Sequence, residues 1–527
     1  MFLVLGVISG LIELRSQLGG FSINRIVSFA VTGAQFGIMR YLIVLLVWLQ
    51  MTFVSAGAVL TPDQLEELLL PDVKIESALH HAAQDGERNG RVAHTVVKGV
   101  IGGSIRFELL LPDDWNHRFV MGGGGGLVGS VQNAARRYLN EGYATVGTDT
   151  GHQAGGTDGS WALDNLEALV NFGHVAVHRT TEVAKAIIRA YYGEGPKKSY
   201  FYGCSRGGGQ AMMEAQRYPE DFDGIVSGAP AFDWTGIAAM GVNIAQTLYP
   251  DPAVNDQKIL SRDDLELLYR AIMKQADAQD GLKDGIIDDP TAVDFDLSKV
   301  EGLSAQQRAV IQVIYDGPQK DGEAIYPGFP LGAEGGDGGW FQWLTGPVPN
   351  LVSLSYAFST NIMKYFLFND PAWDYSTYDF SNWEQDSRLA ASVLSSTDPD
   401  LSAFARRGGK LVLWHGWADA ALPAQATIEY YEDVLKQDPD AMDYTRLFMV
   451  PGCYHCGGGP GISRVDWLKV VVDWVENGKA PDRIVASRAA RDDQPAATRP
   501  LFPYPDRAQY RGEGDVNDAA NYVRLKP

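Results

Sequence analysis

The chain has 527 residues, 45% of them apolar and 21% charged, which supplies a large core and excludes an intrinsically disordered chain. Asp and Glu outnumber Lys and Arg by 65 to 44, a formal net charge of −21. That balance speaks against a nucleic-acid partner, because phosphate neutralisation needs clustered basic residues. Three cysteines, Cys204, Cys453 and Cys456, are too few for a disulfide scaffold or a four-cysteine zinc site.

Taken in chain order, residues 1–58 read as an upstream segment and a signal peptide. Arg40 precedes an apolar run from Tyr41 to Leu49, and the small residues Ser55 to Ala58 offer a cleavage point after Ala58 or, second, after Ala56, with an uncleaved anchor as the rival reading. The run is shorter than the roughly 20 apolar residues of a spanning helix. The expectation is a secreted or periplasmic protein with no stable membrane association after cleavage. Residues 59–234 read as the first part of an α/β core. Phe119–Met121, Tyr143–Gly147, Lys198–Tyr202 and Gly224–Gly228 are predicted strands. Val177–Tyr191 is an amphipathic helix with Val183, Ala184, Ile187 and Ile188 on one face, and Gln210–Tyr218 is a second helix, stopped by Pro219. Strands alternating with helices imply a mostly parallel sheet. In residues 235–400 the rhythm breaks down into an inserted lid, with a helix from Arg262 to Lys274 capped by Ser261. Residues 401–527 resume the core with strands Lys410–Trp414 and Thr445–Val450 and a helix from Asp466 to Glu476. The tail from Pro481 wraps the surface.

Gly203-Cys204-Ser205-Arg206-Gly207 fits G-x-S-x-G between a strand and a helix, the setting of a nucleophile elbow. A serine hydroxyl needs a base. Downstream of Ser205 stand two histidines. His455 lies in a glycine-rich loop after a strand, where the base belongs, and His415 reads as a packed loop histidine. Asp419 follows the Lys410–Trp414 strand and completes the order serine, acid, histidine. Backbone donors for an oxyanion are expected from Arg206, just after the nucleophile, and from Gly125 within the run Gly122–Gly126. Cys204 precedes Ser205 and Cys456 follows His455, so a convergent triad brings the two sulfurs together. A disulfide is the favoured reading over two buried thiols. Cys453 reads as a small buried apolar residue, and a Cys453–Cys456 redox pair is the competing one.

The Cys204-Ser205, Asp419 and His455-Cys456 arrangement, with Gly142–His152, Asn171–His178 and Gly228–Ala231, resembles the tannase and feruloyl esterase family, which includes mono(hydroxyethyl) terephthalate hydrolases. The resemblance runs from about residue 60 to the C-terminus. It implies an α/β-hydrolase core with a large inserted lid, cleaving small esters of aromatic acids such as feruloyl or galloyl esters, with the cysteine pair bonded. It also likens Asp277–Ile286 to the family's lid calcium loop. Asp277, Asp280 and Asp284 would supply carboxylates and Leu282 and Ile286 carbonyls to a structural Ca2+, chemistry suited to a hard cation. Cysteines that often flank that loop and close the tail are missing here, with Ala276, Pro290–Val293 and Phe502 in their places. The lid aromatics Trp340, Trp343, Phe358 and Tyr365 are candidates to stack on an aromatic acid. A terephthalate half-ester hydrolase and an inactive hydrolase-fold binding module are the rival readings.

Overall fold

Nine strands join in one mixed sheet whose parallel half runs buried on both faces. In the computed structural model, residues 60–527 are described, except 87–90, 255–258, 348–351 and 491–494. The expected signal segment, within residues 1–58, lies outside the described residues. No helix among the described residues is long and apolar enough to cross a membrane.

The strands are β1 (Val73–His81), β2 (His94–Ile101), β3 (Ile105–Pro112), β4 (Arg118–Gly122), β5 (Ala144–Thr148), β6 (Lys198–Ser205), β7 (Gly224–Pro230), β8 (Lys410–Gly416) and β9 (Thr445–Val450). Their order across the sheet is β1-β2-β3-β5-β4-β6-β7-β8-β9. From β5 to β9 every pairing is parallel, while β1, β2, β3 and β5 pair antiparallel. Parallel strands need crossovers that cover both faces. Here α1 (Ala176–Tyr192), α2 (Arg206–Arg217) and α8 (Ala424–Gln437) are among those crossovers, and α9 (Trp467–Asn477) follows the last strand and packs on β7 and β8. The parallel strands end on one edge. Gly122 sits beside Tyr202, Cys204 beside Gly228, and Gly416 beside Val450. Functional loops of such sheets collect at that edge.

Two features depart from the sequence reading. The antiparallel edge begins at Val73, and β1 buries little beyond Ile75 and Ala78, so it lacks the apolar alternation that marks a strand. Helix α1 is preceded without a break by a π-helical turn, Asn171–Val175, and a short helix, Leu166–Val170. Other elements match closely. Ser261 caps α4 (Arg262–Ala276) in a reciprocal box with Asp264, and Asp466 caps α9. The tail forms two antiparallel ribbons, Ile484–Arg488 with Ala497–Leu501 and Arg507–Tyr510 with Tyr522–Leu525.

Between the two halves of the core, α3 (Trp234–Leu248), α4, α5 (Ala305–Asp316), α6 (Leu354–Asn361) and α7 (Trp383–Leu394) follow. α3 and α6 cross so closely that a Cβ on Gly241 would lie 1.8 Å from Ser359 Oγ. That approach sets one face of each helix over the carboxyl edge of the sheet.

Candidate active site

Strand β6 passes directly into helix α2 at Ser205. Its φ of 62° and ψ of −125° are costly for a residue with a Cβ, and they lift its hydroxyl off the sheet edge. The turn exists because its flanks are glycine. A Cβ on Gly203 would sit 2.3 Å from the Gly207 carbonyl oxygen, and one on Gly209 1.9 Å from that of Ala231. The helix starts at Arg206, four residues before the predicted start at Gln210, and its first turn is Arg206 to Gly209. Close packing onto the end of β7 outweighs the poor helix propensity of three glycines.

His455 comes from the loop after β9. Its Nε2 lies 2.9 Å from Ser205 Oγ and its Nδ1 2.7 Å from Asp419 Oδ2. Asp419 is fully buried after β8, and its Oδ1 accepts the Ala421 and Leu422 N–H groups at 2.8 and 3.0 Å. Burial alone would raise this carboxyl. The charges and hydrogen bonds of His455 and His415 overcome it and hold the group well below the usual carboxylate range. His415 packs inside, as expected, with Nδ1 2.8 Å from Thr427 Oγ1 and Nε2 3.2 Å from Asp419 Oδ2. A disulfide joins Cys204 to Cys456 across 252 residues, with Cα atoms 5.9 Å apart. It ties the serine turn to the histidine loop. Cys453 is a buried free thiol, pushed up to about 12 by burial, and its neighbour Cys456 is already committed.

Ser205 and His455 open on a chamber of about 510 Å3. Trp234, Ile237 and Met240 from α3, Phe358 from α6, Ile362, Trp343 and Leu422 form its apolar wall, and Trp343 meets the His455 ring edge-on at 5.0 Å. Two of the four proposed lid aromatics are therefore here. Trp340 is not: it is wholly buried in the core. Tyr365 packs near Gly159. The sequence reading missed Trp234, Ile237, Met240, Ile362 and Leu422, whose apolar spacing is that of any buried helix.

The glycine run Gly123–Gly126 forms the opposite wall, beside Arg206. The Gly125 N–H donates to Gln132 Oε1 at 2.8 Å, and the Gly124 N–H to Gln210 Oε1 at 3.1 Å. The N–H of the expected donor is thus already engaged by a side chain that also lines the chamber.

In the acidic loop, Asp277 Oδ1 accepts the Asp284 and Gly285 N–H groups, Asp280 Oδ1 that of Leu282, and Asp284 Oδ1 that of Ile286. Arg499 from the tail reaches Asp284 at 2.6 Å, and Arg507 reaches Asp289 at the same distance. Two arginine–aspartate pairs hold tail to loop where cysteines are missing. The donor set is all oxygen, as a hard cation requires. Burial, with the negative charges of Asp284 and Asp277, raises the Asp280 carboxyl.

Among the described residues, a tighter cluster of possible ligands is His178, Glu214 and Asp221, whose atoms lie within 4.8 Å of one another. A proton retained on Glu214 lets these groups lie together. Burial and the adjoining Asp221 push the Glu214 carboxyl well above its ordinary 4.5, which leaves it a neutral donor, while His178 Nδ1 lies 2.6 Å from Asp221. Above 4.5 the folded protein keeps a proton that the unfolded chain has released, so stability falls as pH rises. Glu214→Gln keeps the neutral shape, and its Tm advantage over the wild type should widen from about pH 5 to about pH 8 in calorimetry. A pH-independent difference would refute the retained proton.

The family model described as Tannase and feruloyl esterase matches residues 91–525. The chain is 34% identical to mono(2-hydroxyethyl) terephthalate hydrolase of Piscinibacter sakaiensis, over 80% of this chain and 82% of that protein. It is 33% identical to a probable feruloyl esterase of Arthroderma benhamiae, over 79% and 82%. Among solved structures, feruloyl esterase B from Aspergillus oryzae superposes with a TM-score of 0.75 at 25% identity, covering 88% of this chain and all of that one. With its mixed sheet, flanking helices and strand-to-helix serine turn, this chain has the α/β-hydrolase fold and belongs to the tannase and feruloyl esterase family of carboxylic ester hydrolases.

Proposed function

We propose that this ester hydrolase works through Ser205, His455 and Asp419 on esters of uncharged aromatic acids, with feruloyl-type esters as the substrate class. The observation that carries this reading is the Ser205–His455–Asp419 hydrogen-bonded line, 2.9 and 2.7 Å, opening on an apolar chamber. Ser205 Oγ attacks the ester carbonyl as His455 Nε2 takes its proton, and Asp419 stabilises the imidazolium. The carbonyl oxygen, now negative, receives the Arg206 N–H and a donor from the glycine run once Gln132 gives way. Collapse expels the alcohol, which takes the proton from His455. Water then repeats the attack on the acyl-enzyme and releases the acid.

The chamber wall supports the choice of acid. Apart from His455, Arg206 is the one charged residue among the described lining residues, and it is 1% exposed. A terephthalate half-ester brings a free carboxylate, which finds no accessible cation there and bears the cost of desolvation. The few polar side chains, among them Ser355, Ser359 and Gln132, suit one phenol and one ether oxygen better than the three hydroxyls of a galloyl group. Purified enzyme should turn over methyl ferulate with kcat/KM at least about 100-fold above mono(hydroxyethyl) terephthalate. Equal rates would refute the substrate choice. A fluorophosphonate should label Ser205, identified by peptide mass. An unlabelled protein would favour the binding-module reading.

The same reading includes export, supported by the Arg40–Ala58 pattern, and a calcium ion on the Asp277–Ile286 loop. Asp277, Asp280 and Asp284, with the Leu282 and Ile286 carbonyls, would hold it. When bound it neutralises crowded carboxylates and stiffens the loop, away from the reacting atoms. Chelation should lower Tm by several degrees and added Ca2+ should restore it, as ligand binding to the native state requires. A Tm indifferent to both treatments would exclude the ion.

A further inference from the structure

The Arg206 side chain has no part in the steps above, which use only its backbone N–H. It is 1% exposed, yet no carboxylate among the described residues lies within ion-pair distance of it. Its guanidinium carbon sits 4.3 Å from the centre of the Phe172 ring and 5.3 Å from that of Trp234. One terminal nitrogen, Nη2, donates to the Phe172 carbonyl and, at 3.1 Å, to that of Gly173, both in the π-helical turn. The other two nitrogens, Nε and Nη1, have no hydrogen-bond partner among the described residues.

This is an expensive arrangement. An unpaired buried charge costs the folded state more than an apolar side chain of the same length. Two aromatic faces and two carbonyls return part of that cost. Burial pulls the guanidinium down to about 9, but arginine stays protonated in proteins, so the charge is permanent at working pH. Its field also reaches outward, since Arg206 is among the charges that hold His152 and His174 below their ordinary value, after burial itself. The residue bearing this charge directly follows the nucleophile, and the medium around it is dry, where charges act over longer range.

We infer that the Arg206 guanidinium is a positioning residue for ester cleavage: it anchors its own backbone N–H to the π-helical turn and supplies a standing positive charge behind Ser205 that stabilises the oxyanion of the tetrahedral intermediate. At 1% exposed, the residue acts through its field and its anchoring and not by direct contact with the substrate. The inference rests on the Ser205 mechanism proposed above.

The experiment compares Arg206→Met and Arg206→Gln, which remove the charge, with Arg206→Lys, which keeps it. The readouts are kcat and KM for methyl ferulate, inhibition by an arylboronic acid that becomes a tetrahedral anion on Ser205, and Tm. Both neutral variants should lose about 10- to 30-fold in kcat with KM within about twofold. Boronate affinity should fall by the same factor, Tm should hold or rise, and Lys should restore most of the loss. Unchanged kcat and boronate affinity in both neutral variants would overturn the inference. So would a loss that tracks a lower Tm and that Lys does not restore, because that pattern belongs to packing. Failure of the underlying mechanism reads differently: the wild type itself would resist fluorophosphonate.

Discussion

Ser205→Ala should lower kcat for methyl ferulate by about 10^6-fold, to the residual rate set by binding and oxyanion donors. The substitution keeps the Cβ, so the backbone at φ 62° is no more strained than before, and the Gly203 and Gly207 contacts are untouched. It removes the one oxygen that His455 Nε2 faces at 2.9 Å. Tm should therefore stay near the wild-type value while fluorophosphonate labelling disappears. Retention of more than about one per cent of kcat in a preparation free of wild type would mean that another group performs the attack.

The second large effect belongs to Asp419→Asn, with kcat lower by about 10^4-fold. The geometry explains why an isosteric change is so costly. Asp419 Oδ1 accepts two backbone N–H groups, from Ala421 and Leu422, so an asparagine must leave its carbonyl oxygen there. Its NH2 then faces His455 Nδ1, where Asp419 Oδ2 stood at 2.7 Å. That nitrogen has to become an acceptor, the ring proton moves to Nε2, and the base can no longer take the proton of Ser205. KM should change little, because Asp419 is buried away from the chamber. The stability effect has a definite sign. The folded carboxyl lies below its ordinary 3.8, so its contribution is present above that value and is lost as pH falls further. The Tm gap between wild type and Asn variant should accordingly close below about pH 4. Equal kcat in the two proteins would remove Asp419 from the mechanism.

The serine turn was readable because its chemistry is local. A strained residue between a strand and a helix needs glycines at fixed offsets, and Gly203 and Gly207 stand at them. His455 and Asp419 were readable by order, since each follows an apolar strand in the sequence that the chemistry demands. The disulfide followed from adjacency, as Cys204 and Cys456 each touch a member of the constellation. Other parts left no local trace. The engagement of the Gly125 N–H by Gln132 depends on the fold of a loop. The solitary charge of Arg206 depends on what α1's preceding turn and α3 bring against it. Trp340 and Trp343 look alike in sequence, yet one is core and the other meets His455. Strand β1 hides because hydrogen bonds to β2 hold it, and apolar alternation does not.

What the amino-acid order determined by itself was chemistry set by neighbours a few residues apart: the elbow, the cap at Ser261, and the succession of serine, acid and base. Only the tertiary structure decided which apolar residues wall the chamber, which amides are already engaged, and that a guanidinium lies buried with no acid beside it among the described residues. Those depend on segments far apart in the chain meeting at one sheet edge, and a contact across 250 residues obeys packing and the whole sheet's order rather than any local pattern.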